Sequence, residues 1–91
     1  MHPDHADARY NTGLMLLKQG NADSALHYFH ETIQVEPEHV LVNNTIGVIL
    51  AQQGQYEKAV DYFSHALKGN PEYKNAQINR EKALRKLHSR D

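Results

Sequence analysis

The sequence predicts an all-α protein built from repeated helical hairpins, and three observations carry that prediction. The chain matches itself at a shift of 34 residues: Gly13/Gly47, Leu16/Leu50, Gln19/Gln53, Gly20/Gly54, Ala25/Ala59, Tyr28/Tyr62, Phe29/Phe63, Pro37/Pro71 and Glu38/Glu72 coincide. Those nine identities fall in one gap-free overlap, residues 10–38 on 44–72, and a fixed period of this length marks a repeat architecture. Within each copy the apolar residues recur at helical spacing. The punctuation also repeats, with Gly20-Asn21 and Gly54-Gln55 inside the copies and Pro37 and Pro71 at their ends. No strand-like alternation of apolar and polar residues is present.

Taken in order, helices are expected near 7–19, 23–36, 40–53, 57–68 and 72–88. Leu14 and Leu17 mark the first, and Ala25, Leu26, Phe29 and Ile33 the second. Gly20 suits the left-handed residue that ends a helix, and Asn21 or Asp23 is placed to cap the next. Proline cannot continue the helix before it, so Pro37 and Pro71 close the hairpins. The expected organisation is a tail or linker at 1–6, a first repeat at 7–38, a second at 39–72 and a C-terminal capping helix at 73–91, one domain overall. The last helix is half a repeat: Leu84 matches Leu50, but Glu81 stands in the place of Gly47 and Arg80 in that of Ile46. Ala76, Ala83, Leu84 and Leu87 are expected to face the second repeat, with Arg80, Glu81, Arg85 and Arg90 in water.

Ninety-one residues with 40% apolar and 23% charged content describe one small soluble domain. The net charge of -1 supplies no field to draw the chain to nucleic acid or an anionic membrane. Charge is uneven: residues 1–71 hold four Lys/Arg against eight Asp/Glu, and residues 72–91 hold six against three. A basic end of this size is usually a solvated helix face. The absence of cysteine excludes disulfides and thiol catalysis. No apolar run is long enough for a membrane span, so no membrane insertion is expected. The opening Met-His-Pro-Asp-His-Ala-Asp-Ala reads as a link between repeats, which suggests a piece of a longer protein. Localisation stays open, with the cytoplasm favoured.

The spacing Gly13, Ala25, Phe29, Pro37, repeated as Gly47, Ala59, Phe63, Pro71, resembles the tetratricopeptide repeat over about residues 7–88. A side chain at Gly13 or Gly47 would hold the two helices of a hairpin apart, Ala25 and Ala59 let them sit close, and Phe29 and Phe63 fill the space beyond. The chain departs from the family pattern at Arg9 and Asn43, where a large aromatic is preferred, at Thr12, where Leu is, and at Ala22, the counterpart of Tyr56. The resemblance implies a right-handed α-solenoid of two helix-turn-helix hairpins with a solvating C-terminal helix.

It also implies a concave face lined by the first helix of each repeat, binding an extended peptide or a partner helix. The family's inward positions fall on Asp7, Tyr10, Asn11, Leu14, Leu17 and Lys18, then on Leu41, Asn44, Thr45, Val48, Ala51 and Gln52. In the closing helix they fall on Asn75, Ile78, Asn79, Lys82 and Lys86. The expected partner site comprises Tyr10, Asn11, Leu14, Leu17, Leu41, Asn44, Thr45, Val48, Ile78, Asn79 and Lys82, an apolar strip rimmed by amides. Against it stands the reading that two repeats curve too little for a groove and that these residues pack on each other. Asn11, Thr45 and Asn79 are equivalent positions, where some family members carry asparagines that hold a peptide backbone. Thr45 breaks that series, and asparagine is common there in any case. The clamp that some members use for a peptide's terminal carboxylates would fall on Tyr10, Leu14, Thr45, Asn75 and Asn79. None of these is basic, so chaperone tails are not expected ligands, although Lys82 and Lys86 could hold some other acidic group.

Other chemistries find less support. His27 and His30 stand three apart beside Glu31, but a closed zinc site needs four ligands, so no metal is expected. His2, His5, His39 and His88 read as surface residues. There is no phosphate loop, catalytic triad or buried carboxylate pair, and no catalytic residue or cofactor is expected. Nucleic-acid binding would rest on Lys82, Arg85, Lys86 and Arg90 without aromatics to stack bases, and is not expected. The chain thus reads as a non-catalytic scaffold for a protein or peptide ligand. The alternative is a structural module that self-associates, or the terminal part of a longer array on a larger protein such as a glycosyltransferase or a membrane protein. Thr12, Met15 and Leu16 lie where a preceding repeat would cover them. The isolated chain is therefore expected to be marginally stable or to form a two-fold homodimer through its N-terminal repeat.

Overall fold

The computed structural model describes residues 4–89, with side chains from residue 8 onward. Among the described residues five helices follow one another: α1 Asp4–Lys18, α2 Ala22–Val35, α3 Val40–Gln52, α4 Tyr56–Gly69 and α5 Lys74–His88. Among the described residues there is no strand, and the predicted all-α class holds. The helices divide into two compact units, Met1–Pro37 with α1 and α2, and Glu38–Asp91 with α3, α4 and α5.

Both hairpins turn by one device. Gly20 and Gly54 take φ of 85° and 81°, a conformation that a Cβ disfavours. The Gly20 N–H then donates to Leu17 O at 3.0 Å and the Asn21 N–H to Leu16 O at 2.8 Å. Gly54 and Gln55 repeat the pair on Ala51 O and Leu50 O. This double bond pattern satisfies carbonyls that the end of a helix leaves unpaired. The Asn21 side chain makes no capping bond, which corrects that expectation. Asp23, in the first turn of α2, still opposes the helix dipole.

The two helices of each hairpin close on a glycine–phenylalanine contact. A Cβ at Gly13 would meet Phe29 Cδ1 at 2.9 Å, and one at Gly47 would meet Phe63 Cδ1 at 2.6 Å. The first unit buries Ala25, Phe29 and Thr32 of α2. The Tyr10 ring lies 5.9 Å from that of Phe29, tilted by 43°, and Arg9 reaches Glu31 at 3.5 Å.

In the second unit Val42, Ile46, Ile49 and Leu50 of α3 meet a core completed by Ala59, Phe63 and Ala66 of α4 and Ala76 and Ala83 of α5. Helix α5 lies along α4 and touches α3, with Leu84 and Leu87 half-buried. Arg80 does not simply face water: its Nε donates to Ser64 Oγ at 2.9 Å. The long stem lets the guanidinium lie along α4 while its charge stays near solvent.

His39, expected as a plain surface residue, is half-buried and starts α3, its Nδ1 accepting from the Val42 N–H at 3.2 Å. Asn43 is 1% exposed, and its amide donates to His39 O at 2.8 Å, as a buried polar group requires. Helix α5 begins at Lys74 rather than 72 because a turn intervenes. The Glu72 N–H donates to Asn70 Oδ1 and the Tyr73 N–H to Asn70 O, both at 3.1 Å.

Candidate functional site

Within the second unit α3 and α5 form the two walls of an open groove, with α4 at its base. From Val40 to Gln52, α3 carries no charged residue. Helix α5 carries Lys74, Arg80, Lys82, Arg85 and Lys86 against the single acid Glu81. A neutral wall therefore faces a cationic one. The groove holds a cavity of about 250 Å³ with Val48, Ala51, Phe63 and Ala83 as apolar lining and Gln52, Asn79, Lys82 and Lys86 at the rim. Tyr56, at the start of α4, also lines it. A second cavity of about 350 Å³, lined by Lys82, Arg85, Lys86 and Ser89, shares two lysines with the first.

The amides at the rim are partly engaged. Asn79 Nδ2 donates to Asn44 Oδ1 at 3.1 Å, a bond that joins α5 to α3. The Thr45 hydroxyl donates to Leu41 O at 2.8 Å, within its own helix. Asn75 Nδ2 donates to the Tyr73 hydroxyl at 3.4 Å. Leu41 and Ile78 remain 41% and 50% exposed.

In the first unit, Asn11 is exposed while Tyr10, Leu14 and Leu17 are half-buried. Tyr10 lies against Phe29, so its ring serves the hairpin's own packing. The Asp7 side chain, with those of His2, His5 and Arg90, lies outside the described residues. Of the expected positions, Val48, Asn79 and Lys82 meet at the first cavity, together with the flanking Ala51, Gln52 and Lys86. Sequence reasoning missed Tyr56, Phe63 and Ala83 as lining. The only available signal was the exchange of Ala22 for Tyr56 between otherwise similar repeats. His27 is exposed and pairs with Glu31 at 3.2 Å. Among the described residues no three His, Asp or Glu side chains are grouped to hold a metal ion.

A family model for the tetratricopeptide repeat matches residues 1–28 and 16–74, most of the chain. The chain belongs to the tetratricopeptide repeat family. No curated protein matches it. Tetratricopeptide repeats are generally protein–protein interaction modules and typically non-catalytic scaffolds, so protein partners are the family expectation. Among the described residues no helix is long and apolar enough to cross a membrane.

Proposed function

We propose that this tetratricopeptide-repeat chain is a non-catalytic scaffold that holds a partner polypeptide, as an extended peptide or a helix, in the groove between α3 and α5. The observation that carries the reading is the apolar lining of the groove, half-buried Val48 and Ala51 over buried Phe63 and Ala83, rimmed by Gln52, Asn79 and two lysines. An apolar floor supplies non-directional attraction, and a polar rim orients what binds. Leu41 and Ile78 extend exposed apolar surface on the same two helices. The equivalent positions of α1, Tyr10, Asn11, Leu14 and Leu17, are proposed as a separate partner contact within the first unit. The organisation into repeats at 7–38 and 39–72 with a closing helix at 73–91 belongs to the same proposal.

Affinity capture from native lysate tests it, with the wild type beside Val48→Glu and Ile78→Glu. A protein retained by the wild type and lost from both variants, with far-UV circular dichroism unchanged, is the expected result. Equal retention by all three would remove the groove from the binding surface. Self-association is a second reading, favoured by one observation: Met15 of α1 is 62% exposed.

A further inference from the structure

We infer that the groove takes an acidic segment in which a large apolar side chain is flanked by carboxylates, the apolar group entering the cavity under Val48 and the carboxylates meeting Lys82 and Lys86. This inference rests on the groove reading above and names the chemistry of its occupant.

The two cavities on α5 differ in character and share the same two lysines. One is apolar at its floor, and the other is lined by Lys82, Arg85, Lys86 and Ser89. At about 250 Å³ the apolar cavity lies below the usual range of about 300–1,000 Å³ for small-molecule sites. It suits one anchoring side chain of a longer chain better than a whole ligand.

Lys82 and Lys86 stand four apart, on one face of α5. Like charges at that spacing oppose each other, and an anion between them relieves the opposition. Neither ammonium makes an ion pair among the described residues. Their neighbours are already engaged: Arg85 with Glu81 at 3.7 Å, and Arg80 with Ser64. The facing helix α3 has no acid to offer, and the exposed Glu57 and Asp61 of α4 line neither cavity.

Basic residues near a helix C-terminus often serve only the helix dipole. That accounts for Arg85, Lys86 and His88 in the last turn, but not for Lys82 a turn earlier. Nucleic acid fits less well, because the only aromatics lining the cavity are buried Phe63 and half-buried Tyr56, a poor platform for stacking a base.

The test is a titration of the isotopically labelled full chain, followed by amide shifts. The probes are three end-blocked peptides and one oligothymidylate. The first peptide is Gly-Ser-Asp-Glu-Leu-Asp-Glu-Gly-Ser, the second carries Asn and Gln for its acids, and the third carries Ala for its Leu. The first should shift Ala51, Gln52, Asn79, Lys82 and Ala83 saturably and weaken with added salt. The second and third should each bind about tenfold more weakly, the scale of losing charge-assisted contacts or a buried anchor. Lys82→Gln/Lys86→Gln should erase the advantage of the acidic peptide, and Lys82→Arg/Lys86→Arg should keep it. Both lysines are exposed, so the fold should survive either change. Equal binding of neutral and acidic peptides at these amides would overturn the inference and leave the groove reading standing. Stronger shifts with the oligonucleotide would assign the lysines to phosphate instead. No shift with any peptide would overturn the inference, while lysate capture judges the groove separately.

Discussion

Replacing Gly47 by alanine sets two opposed effects against each other, and the structure decides between them. In the middle of a helix alanine is favoured over glycine by about 1 kcal/mol. At Gly47 the added Cβ would stand 2.6 Å from Phe63 Cδ1 and 2.9 Å from Cζ, and nearer still to Cε1. Phe63 is 1% exposed, so the ring has little room to retreat. Forcing an extra carbon into a filled core costs about 1–3 kcal/mol. Gly47→Ala should therefore destabilise by up to about 2 kcal/mol, with the clash outweighing the propensity gain. For a domain of this size each kcal/mol lowers Tm by about 4–8 °C.

Urea and thermal melts followed by far-UV circular dichroism measure the change, and a double-mutant cycle with Phe63→Leu locates its cause. Leucine lacks the outer ring atoms, so alanine at position 47 should be tolerated in that background. The coupling should be at least about 0.5 kcal/mol, as for residues in direct contact. Gly13→Ala with Phe29→Leu repeats the test in the first unit, where the corresponding contact is 2.9 Å to Cδ1. If Gly47→Ala raises stability by about 1 kcal/mol, or if the cycle shows no coupling, close approach is not why glycine stands there.

His39→Ala should cost about 1 kcal/mol in urea melts, because the Val42 N–H loses its side-chain acceptor at the start of α3. A change within about 0.3 kcal/mol would show that water replaces the imidazole without loss. Exposed Met15 makes the first unit a candidate dimer surface. Sedimentation across a concentration series should show wild-type association that Met15→Glu abolishes, and a wild type that stays monomeric throughout would refute it.

The helices and their turns were legible because their signals are periodic or conformational. Gly20 and Gly54 could be placed from the repeat alone, since each stands before a polar residue between two apolar runs. Gly13 and Gly47 were readable against Phe29 and Phe63 because both partners recur at one spacing. Polar residues whose roles depend on local geometry were not readable. His39 looks like any histidine beside a turn, and its role requires the backbone of Val42 to point at Nδ1. Asn43 looks like a departure from the family pattern, yet the core accepts it because His39 O lies within reach. Arg80 sits at a position that holds Ile46 in the preceding repeat, and charge alone suggested water rather than Ser64. The groove was half legible. Helical register gave Val48, Asn79 and Lys82, whereas Tyr56 and Ala83 enter through the packing of α4 and α5.

The repeat register gives the groove a direction that no single helix shows. Within the second unit one position reads Val48 on α3 and Lys82 on α5, and the position one turn later reads Gln52 and Lys86. The α3 sites are apolar or neutral, and their α5 counterparts are both cationic. A purely apolar ligand would have no reason to prefer one orientation across such a groove. One carrying acids beside an apolar anchor would, because its charge is met at α5 while its anchor finds Val48 and Ala51 on the facing wall. Charge of this kind contributes register and encounter rate as well as affinity. The apolar cavity and the two lysines should therefore both set how tightly a partner is held, and the lysines also in which direction it lies.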